Sequence, residues 1–380
     1  MSHNCLTSVH NVEWLPSLVT LDLSANQISR LESNNSLISL RALKLSENKL
    51  DVFDATPFSA VSLLYLDQNS LTNISGLSHC HNLEVLSLRE QALPSADSAV
   101  DIDLGSVKDI RKVFMSSNKL SPACLSPSSP LLRLQLLDLA GCTLNALPVE
   151  FAANYPNLKV LNLNFNSITE LEPLVGMNCL ARLMVVNNRL SRMRRVCQIL
   201  SRLGRTGRGS ACSLRKLDMR GNPLTVGFYP PAVTGNGTNA EQKRMKDQEK
   251  ALVRKQQQGN RRDLSDALAD IDGPSPLDQE ISWDDGAKTD REVEINDPFT
   301  LPPANPQADE RYLTRLDKAT RLRRSVLELL LYAGTSGSLH HLDGLDLRPS
   351  LGEDSPDMER AWTKLEELGV LRRKAITNKP

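Results

Sequence analysis

Leucines recur along the first two-thirds of the chain in a pattern whose period belongs to a repeat rather than to a single helix or sheet. The unit reads LxxLxLxxNxL. It is clearest as Leu18, Leu21, Leu23, Asn26, Ile28; as Leu40, Leu43, Leu45, Asn48, Leu50; and as Leu158, Leu161, Leu163, Asn166, Ile168. The central L-x-L alternation has the period of a strand, so the leucines point beneath it and the residues between them point the other way. Nine copies align, with Asn26, Asn48, Asn69, Gln91, Asn118, Cys142, Asn166, Asn188 and Asn222 at the polar position, spaced 22, 21, 22, 27, 24, 24, 22 and 34 residues apart. A chain that leaves a strand in every layer exposes buried backbone donors and acceptors, and a short amide side chain satisfies both kinds. Gln91 and Cys142 depart from that chemistry, which predicts looser layers there.

This spacing is that of a leucine-rich repeat, in which each unit is too small to bury its own apolar face and must stack on its neighbours. The predicted fold is therefore an α/β solenoid, with short parallel strands on the concave face and 3-10 or α segments and loops on the convex face. Asn4, Cys5 and Leu6 stand 22 residues before Asn26, Gln27 and Ile28 like the second half of a repeat. The chain is expected to begin inside a repeat and to be a piece of a longer protein.

The pattern changes after Asn222, Pro223 and Leu224. Four segments are predicted: a solenoid over 1–231 with a truncated first repeat, a disordered charged insertion over 232–308, a cap helix and last strand over 309–347, and a C-terminal helix and tail over 348–380. The insertion holds a charged, glutamine-rich run over 241–262, then twelve acidic and two basic residues over 263–297, a composition that favours solvation over packing. Asp309 reads as the N-cap of one helix carrying Tyr312, Leu316, Ala319, Leu322, Val326, Leu330 and Ala333 up to Gly334. Leu339 to Leu345 reads as one last strand. Ser355-Pro356 opens a short helix with Ala361, Trp362 and Leu365 on one side, which either packs back or stays free for a partner.

Composition narrows the function classes. Aromatics make up only 4% of the 380 residues against 40% hydrophobic overall, so the core is aliphatic. Forty-five basic residues balance forty-five acidic ones, which gives no overall pull toward nucleic acid or membrane. The seven cysteines have no CxxC pair and read as reduced thiols of a soluble intracellular protein. No catalytic, cofactor or metal site is expected. The run His79, Cys80, His81 lacks a second ligand pair. The 204–210 run GRTGRGS lacks the GK[ST] ending of a phosphate loop and the strand before it.

Three groups of residues are candidates for binding. Leu63, Tyr65, Val85, Phe114, Leu136, Val160, Met184 and Val186, with Arg89, would form an apolar patch on the concave face, open to a partner or covered by the insertion or C-terminal helix. A helix over 191–204 would turn Met193, Val196, Leu200 and Leu203 inward and Arg192, Arg195 and Arg202 outward. That basic face fits four readings: a solvated surface, docking of the acidic segment, a phosphorylated partner, or nucleic acid. Ser/Thr-Pro pairs at Thr56, Ser121, Ser126, Ser129, Ser275 and Ser355 suit proline-directed kinases, with Ser121, Ser126, Ser129 and Ser275 the candidate sites.

Two stretches carry a resemblance beyond the repeat itself. Residues 214–230 (LRKLDMRGNPLTVGFYP) and 311–345, with the run Arg311 to Asp317 and the closing Leu339 to Leu345, resemble the fungal scaffold proteins of the septation-initiation and mitotic-exit networks and their centriolar relatives. That resemblance implies a non-catalytic scaffold at the spindle pole body, with an anchor protein and the components of a kinase and GTPase cascade as partners. The family's long N-terminal region, which contributes to kinase docking, is absent from this sequence. The 22-residue spacing equally resembles the leucine-rich regulatory subunit of protein phosphatase 1, and a leucine-rich GTPase-activating protein presenting a catalytic arginine is a third reading.

Overall fold

The computed structural model describes residues 2–9, 15, 17–31, 37–95, 97–204, 212–230, 301, 304–347 and 356–367. The acidic run over 263–297, Ser275, Ser355 and residues 205–210 of the glycine-rich loop lie outside them. The chain divides into two compact units, one formed by 1–167 with 172–180 and the other by 168–171 with 181–380.

Unit 1 is a stack of seven three-residue parallel strands: β1 (Thr20–Asp22), β2 (Ala42–Lys44), β3 (Leu63–Tyr65), β4 (Val85–Ser87), β5 (Lys112–Phe114), β6 (Leu136–Asp138) and β7 (Val160–Asn162). Each pairs in register with the next, so that Leu21, Leu43, Leu64, Leu86, Val113, Leu137 and Leu161 form one continuous row. All seven are buried, as are Leu23, Leu45, Leu66, Leu88, Met115, Leu139 and Leu163 two residues on. The returning side of the stack carries 3-10 turns, such as Thr56–Phe58 and Leu104–Ser106, and one short helix, α1 (Phe151–Asn154).

The polar position of each repeat stitches adjacent layers. Asn69 is typical: its Oδ1 accepts the Leu50 N–H at 3.0 Å, and its Nδ2 donates to the carbonyls of Leu45 and Leu66, both at 3.0 Å. The residue before the polar position lies in the left-handed region in every layer, at φ between 51° and 73° from Ala25 to Gly221. The chain turns sharply there and aims the amide back into the stack. Gln91 keeps the two bonds that link layers, Oε1 accepting from Leu71 N at 3.0 Å and Nε2 donating to Leu66 O at 2.9 Å, and turns the bond within its own layer to the Arg89 carbonyl at 3.2 Å. The looser layer expected at Gln91 is not found, because the extra methylene is absorbed without loss of either bond. At Cys142 the thiol donates to the Met115 carbonyl at 3.2 Å. At the start of the stack, Leu6 N–H donates to Asn26 Oδ1 at 3.1 Å and Gln27 N–H to the Leu6 carbonyl at 2.9 Å.

Unit 2 contains β8 (Arg182–Met184) and β9 (Lys216–Asp218), paired in parallel, with the helix α2 (Met193–Leu200) between them. The cap differs from the sequence reading in two ways. The single helix expected from Asp309 is two helices, α3 (Pro306–Leu313), capped by Asn305, and α4 (Lys318–Gly334), capped by Asp317, whose carboxylate accepts the Thr320 N–H at 2.9 Å. Leucine periodicity runs unbroken across the join, so only the two caps mark it. The single last strand is a hairpin: β10 (His341–Leu342) lies parallel to β9, and β11 (Leu345–Asp346) returns antiparallel through Asp343 and Gly344, both at positive φ. The last helix, α5 (Pro356–Glu367), packs back rather than standing free. Ala361 and Leu365 meet Val326 and Leu329 of α4, with Trp362, Leu322, Leu330 and Met193 around them.

A buried ionic cluster joins α3, α4 and the stretch after β9. The Arg324 guanidinium donates to both Asp309 carboxylate oxygens at 2.9 and 2.7 Å, to Glu328 Oε1 at 2.9 Å and to the Phe228 carbonyl at 2.9 Å, and lies 4.4 Å over the Tyr229 ring. Asp309 is thus the buried partner of this arginine and not the N-cap.

Close by, Asp343 accepts the Met219 N–H at 2.5 Å, and complete burial, aided by the neighbouring Asp218 charge, raises its carboxyl to about 7 from 3.8. An acid raised in this way is more protonated in the folded than in the unfolded chain. Its contribution is therefore fully present below pH ~4 and is lost progressively as pH rises to about 7. Asp343→Asn keeps the acceptor and removes the titration. Thermal melts should show the wild type losing stability relative to the variant between pH 4.5 and 7.5, by ~1 kcal/mol or more, equivalent to about 2–4 °C. Parallel curves would rule out Asp343 as the source.

Candidate functional site

The concave residues form two rows, because parallel strands about 4.8 Å apart place like positions side by side. In unit 1 one row runs Leu63, Val85, Lys112, Leu136, Val160 and the other Tyr65, Ser87, Phe114, Asp138, Asn162. Neighbours on both sides cover the middle of each row. Leu63, Tyr65, Val85 and Val160 are half-buried, whereas Leu136 and Phe114 are buried. In unit 2 Met184 and Val186 are buried as well. The uniformly exposed patch expected from alternation is thus a smaller one. Alternation gives the face a side chain is on, and crowding between rows decides how much of it water reaches.

The polar members of these rows are organised around Arg89. Its guanidinium lies 4.4 Å over the Phe114 ring and 3.7 Å from Asp138 Oδ2, and Asp138 is wholly buried. The backbone N–H of Arg89 donates to Asp67 Oδ1 at 2.8 Å, and Ser87 Oγ donates to the same oxygen at 2.6 Å. Burial of Asp67 outweighs these bonds and raises its carboxyl above the usual range. Asn162 Oδ1 accepts from Asn164 N at 3.1 Å, while its enclosed Nδ2 has no hydrogen-bond partner among the described residues. In unit 2 the corresponding positions hold Asp218 and Arg220, joined at 2.6 and 3.0 Å. Sequence alternation placed Arg89 on this face. Its stacking on Phe114 spans 25 residues of sequence and leaves no local signal.

The helix expected over 191–204 is the shorter α2; on it Val196, Cys197, Ile199 and Leu200 are buried and Arg195 is exposed, as are Arg192 at its N-cap and Arg202 in the turn after it, an outward basic face of the polarity the periodicity predicts. Arg192 reaches Glu170 at 3.4 Å, both largely in water, where such a pair contributes at most about 1 kcal/mol. The serines differ in access. Ser121 Oγ is bonded to Asp101 at 2.5 Å and Ser129 Oγ to the Gly105 carbonyl at 2.6 Å, whereas Ser126 is exposed. His79 and His81 face out while Cys80 is buried, its thiol directed to the Ala55 carbonyl at 3.6 Å and raised to about 11 by burial. Among the described residues no group of three His, Cys, Asp or Glu is placed to hold a metal, and no helix is long and apolar enough to cross a membrane.

In-register three-residue strands, a buried leucine row and an amide ladder define a leucine-rich-repeat solenoid fold. The leucine rich repeat family model matches residues 133–190. The chain is similar to the septation initiation network scaffold protein cdc11 of Schizosaccharomyces pombe, at 31% identity over 173 residues, 46% of this chain and 15% of that protein. It is also similar to a protein phosphatase 1 regulatory inhibitor subunit homologue of Arabidopsis thaliana, at 27% identity over 185 residues, 47% of this chain and 54% of that protein. Among solved structures it resembles TLR13 in a TLR13-ssRNA13 complex, with a TM-score of 0.46 and 22% identity over 57% of this chain and 35% of that one. The chain therefore spans about one-seventh of the first of these relatives and about half of the second.

Proposed function

We propose that this chain is a non-catalytic protein-binding scaffold of septation-initiation or mitotic-exit signalling, holding its partner on the concave face of unit 1 around Tyr65, Arg89 and Phe114. The observation that carries the reading is the Arg89 arrangement: a guanidinium 3.7 Å from a buried carboxylate and stacked on an aromatic ring, on the face that also carries the half-exposed Leu63, Tyr65 and Val85. Arginine and tyrosine dominate the residues that carry binding energy at interfaces, and a side chain fixed beforehand loses little entropy on docking. Similarity to a septation initiation network scaffold supports the pathway. The resemblance of the 214–230 and 311–345 stretches extends this to the spindle pole body, with its anchor and the kinase and GTPase cascade as partners. Leu136 and Val160 serve in this reading as support for the face, Met184 and Val186 belong to the interior of unit 2, and Ser126 is the accessible candidate for phosphorylation.

A second reading, a regulatory subunit of protein phosphatase 1, is favoured by the 54% of that relative's length that the similarity covers. Affinity capture from mitotic extract, with bound proteins identified by mass spectrometry, separates the two. Spindle-pole components are expected on the wild type. They should fall about tenfold or more for Tyr65→Ala/Arg89→Ala, since a residue of this kind contributes about 2 kcal/mol or more. Recovery of the phosphatase catalytic subunit in their place would establish the second reading.

A further inference from the structure

A second surface of unit 1, on the flank of the stack rather than its concave face, has the chemistry of an anion site. Arg111, Gln135 and Lys159 are the residues just before β5, β6 and β7. Their backbones are linked in sequence, Gln135 N–H to the Arg111 carbonyl at 2.8 Å and Lys159 N–H to the Gln135 carbonyl at 2.9 Å. Two strand spacings therefore separate Arg111 from Lys159, about 10 Å between their Cα atoms, so that both long side chains can reach one anion between them. With Arg133, Leu132, Asn157 and Cys179 they line a single depression of about 340 Å³. Two of the lining residues are tied to their neighbours: Asn157 Nδ2 donates to the Leu132 carbonyl at 2.7 Å, and the Cys179 thiol donates to Asn157 Oδ1 at 3.8 Å.

We propose that this groove binds a phosphoserine- or phosphothreonine-bearing segment of a partner protein. Three cations converge on it, and their existing partners are weak ones. Arg111 is 3.6 Å from Glu84 and Arg133 is 3.0 Å from Asp109, both pairs about half in water, and Lys159 has no acid within ion-pair distance among the described residues. A single carboxylate on a partner would only exchange with Glu84 or Asp109 on equal terms. A phosphate carries about −1.5 to −2 charges and three acceptor oxygens, so it displaces them and engages the arginine forks with charge-assisted bonds. Leu132, 60% exposed at the rim, offers apolar contact to the residue beside the phosphate, and the Gln135 amide can meet the peptide backbone. No aromatic lines the groove to stack a base, and a lone leucine is too little to hold a membrane surface, so protein is the class that fits.

The full chain, immobilised, would be challenged with a nine-residue peptide pool bearing a fixed central phosphoserine in degenerate flanks. The same pool with serine or glutamate at the centre, and a 20-nucleotide RNA, serve as the comparison arms. The phosphoserine pool should be retained about tenfold or more above both others. Arg111→Gln/Lys159→Gln should abolish that excess while leaving Tm nearly unchanged, as expected of exposed positions. Tyr65→Ala/Arg89→Ala should leave it intact, which keeps this proposal separate from the concave-face reading. Equal retention of all three pools, RNA bound more tightly than phosphopeptide, or an excess lost in Arg192→Gln/Arg202→Gln but not in the groove variant would each overturn it.

Discussion

Arg324→Met should destabilise unit 2 by about 3–5 kcal/mol, visible as a large fall in the urea midpoint with the slope of the transition little changed. Methionine fills much of the same space, so the loss is electrostatic. Removing the guanidinium leaves Asp309 and Glu328 facing one another in a site where both are less than a tenth exposed, and it frees the Phe228 carbonyl. Burial already raises the Glu328 carboxyl, with Arg324 holding it down. In the variant that opposing charge is gone, so Glu328 should be protonated more readily still and the deficit should shrink as pH falls. A triple variant, Arg324→Met/Asp309→Leu/Glu328→Leu, should recover most of the loss, because a buried ion pair replaced whole by apolar groups is often no less stable than the pair. A triple variant as unstable as the single one would show that shape, and not uncompensated charge, is what Arg324 supplies.

The second large effect belongs to the amide ladder. Asn222→Ala removes three bonds at once: Oδ1 accepting from Leu190 N at 3.0 Å, and Nδ2 donating to the Val185 carbonyl at 2.7 Å and the Met219 carbonyl at 2.9 Å. All three partners are backbone groups in the interior of unit 2; the Met219 carbonyl keeps the Thr225 hydroxyl at 2.7 Å, but the bonds to Leu190 N–H and the Val185 carbonyl are lost, and each buried group left unpaired costs about 1–3 kcal/mol. A loss of ~3 kcal/mol or more is expected in urea unfolding. Hydrogen exchange should show the Leu190 amide losing most of its protection, ahead of the global change. Unaltered protection at Leu190 would mean that water or a shifted neighbour replaces the asparagine. Gln91 sets the contrast. With a longer side chain it keeps the two bonds between layers, to Leu71 N–H and the Leu66 carbonyl, and turns the third to the Arg89 carbonyl at 3.2 Å, so Gln91→Ala should cost a comparable amount in unit 1 despite standing where the repeat pattern is broken.

Both effects bear on how the stretches most specific in resemblance work. Residues 214–230 and 311–345 supply Asn222, Phe228, Tyr229, Arg324, Glu328 and Asp343, and every one of these is buried. These stretches build the interior of unit 2 from β9 to β11. Their residues serve the packing of unit 2, while the surfaces proposed above for a partner lie in unit 1, on the Arg89 face and on the flank at Arg111 and Lys159.

The repeat, its strand positions and the inward leucines were legible in the amino-acid sequence. So was the outward arginine face of α2. Each of these follows from a periodicity of a few residues, and sterics make such a periodicity nearly independent of what lies further along the chain. The nine polar positions could be picked out for the same reason, and Gln91 misled only because a one-methylene difference was weighed without the geometry that absorbs it. Tertiary structure decided the rest. The break between α3 and α4 depends on two caps inside one unbroken apolar pattern. Asp309 is an ion partner because Arg324 comes to meet it from 15 residues away. The concave patch is smaller than alternation predicts because adjacent rows crowd Phe114 and Leu136, and the flank groove exists only where residues 24 apart in sequence are brought to strand spacing. Local pattern sets the face on which a side chain emerges; what it then meets is set by packing between layers, on which the linear sequence carries no period.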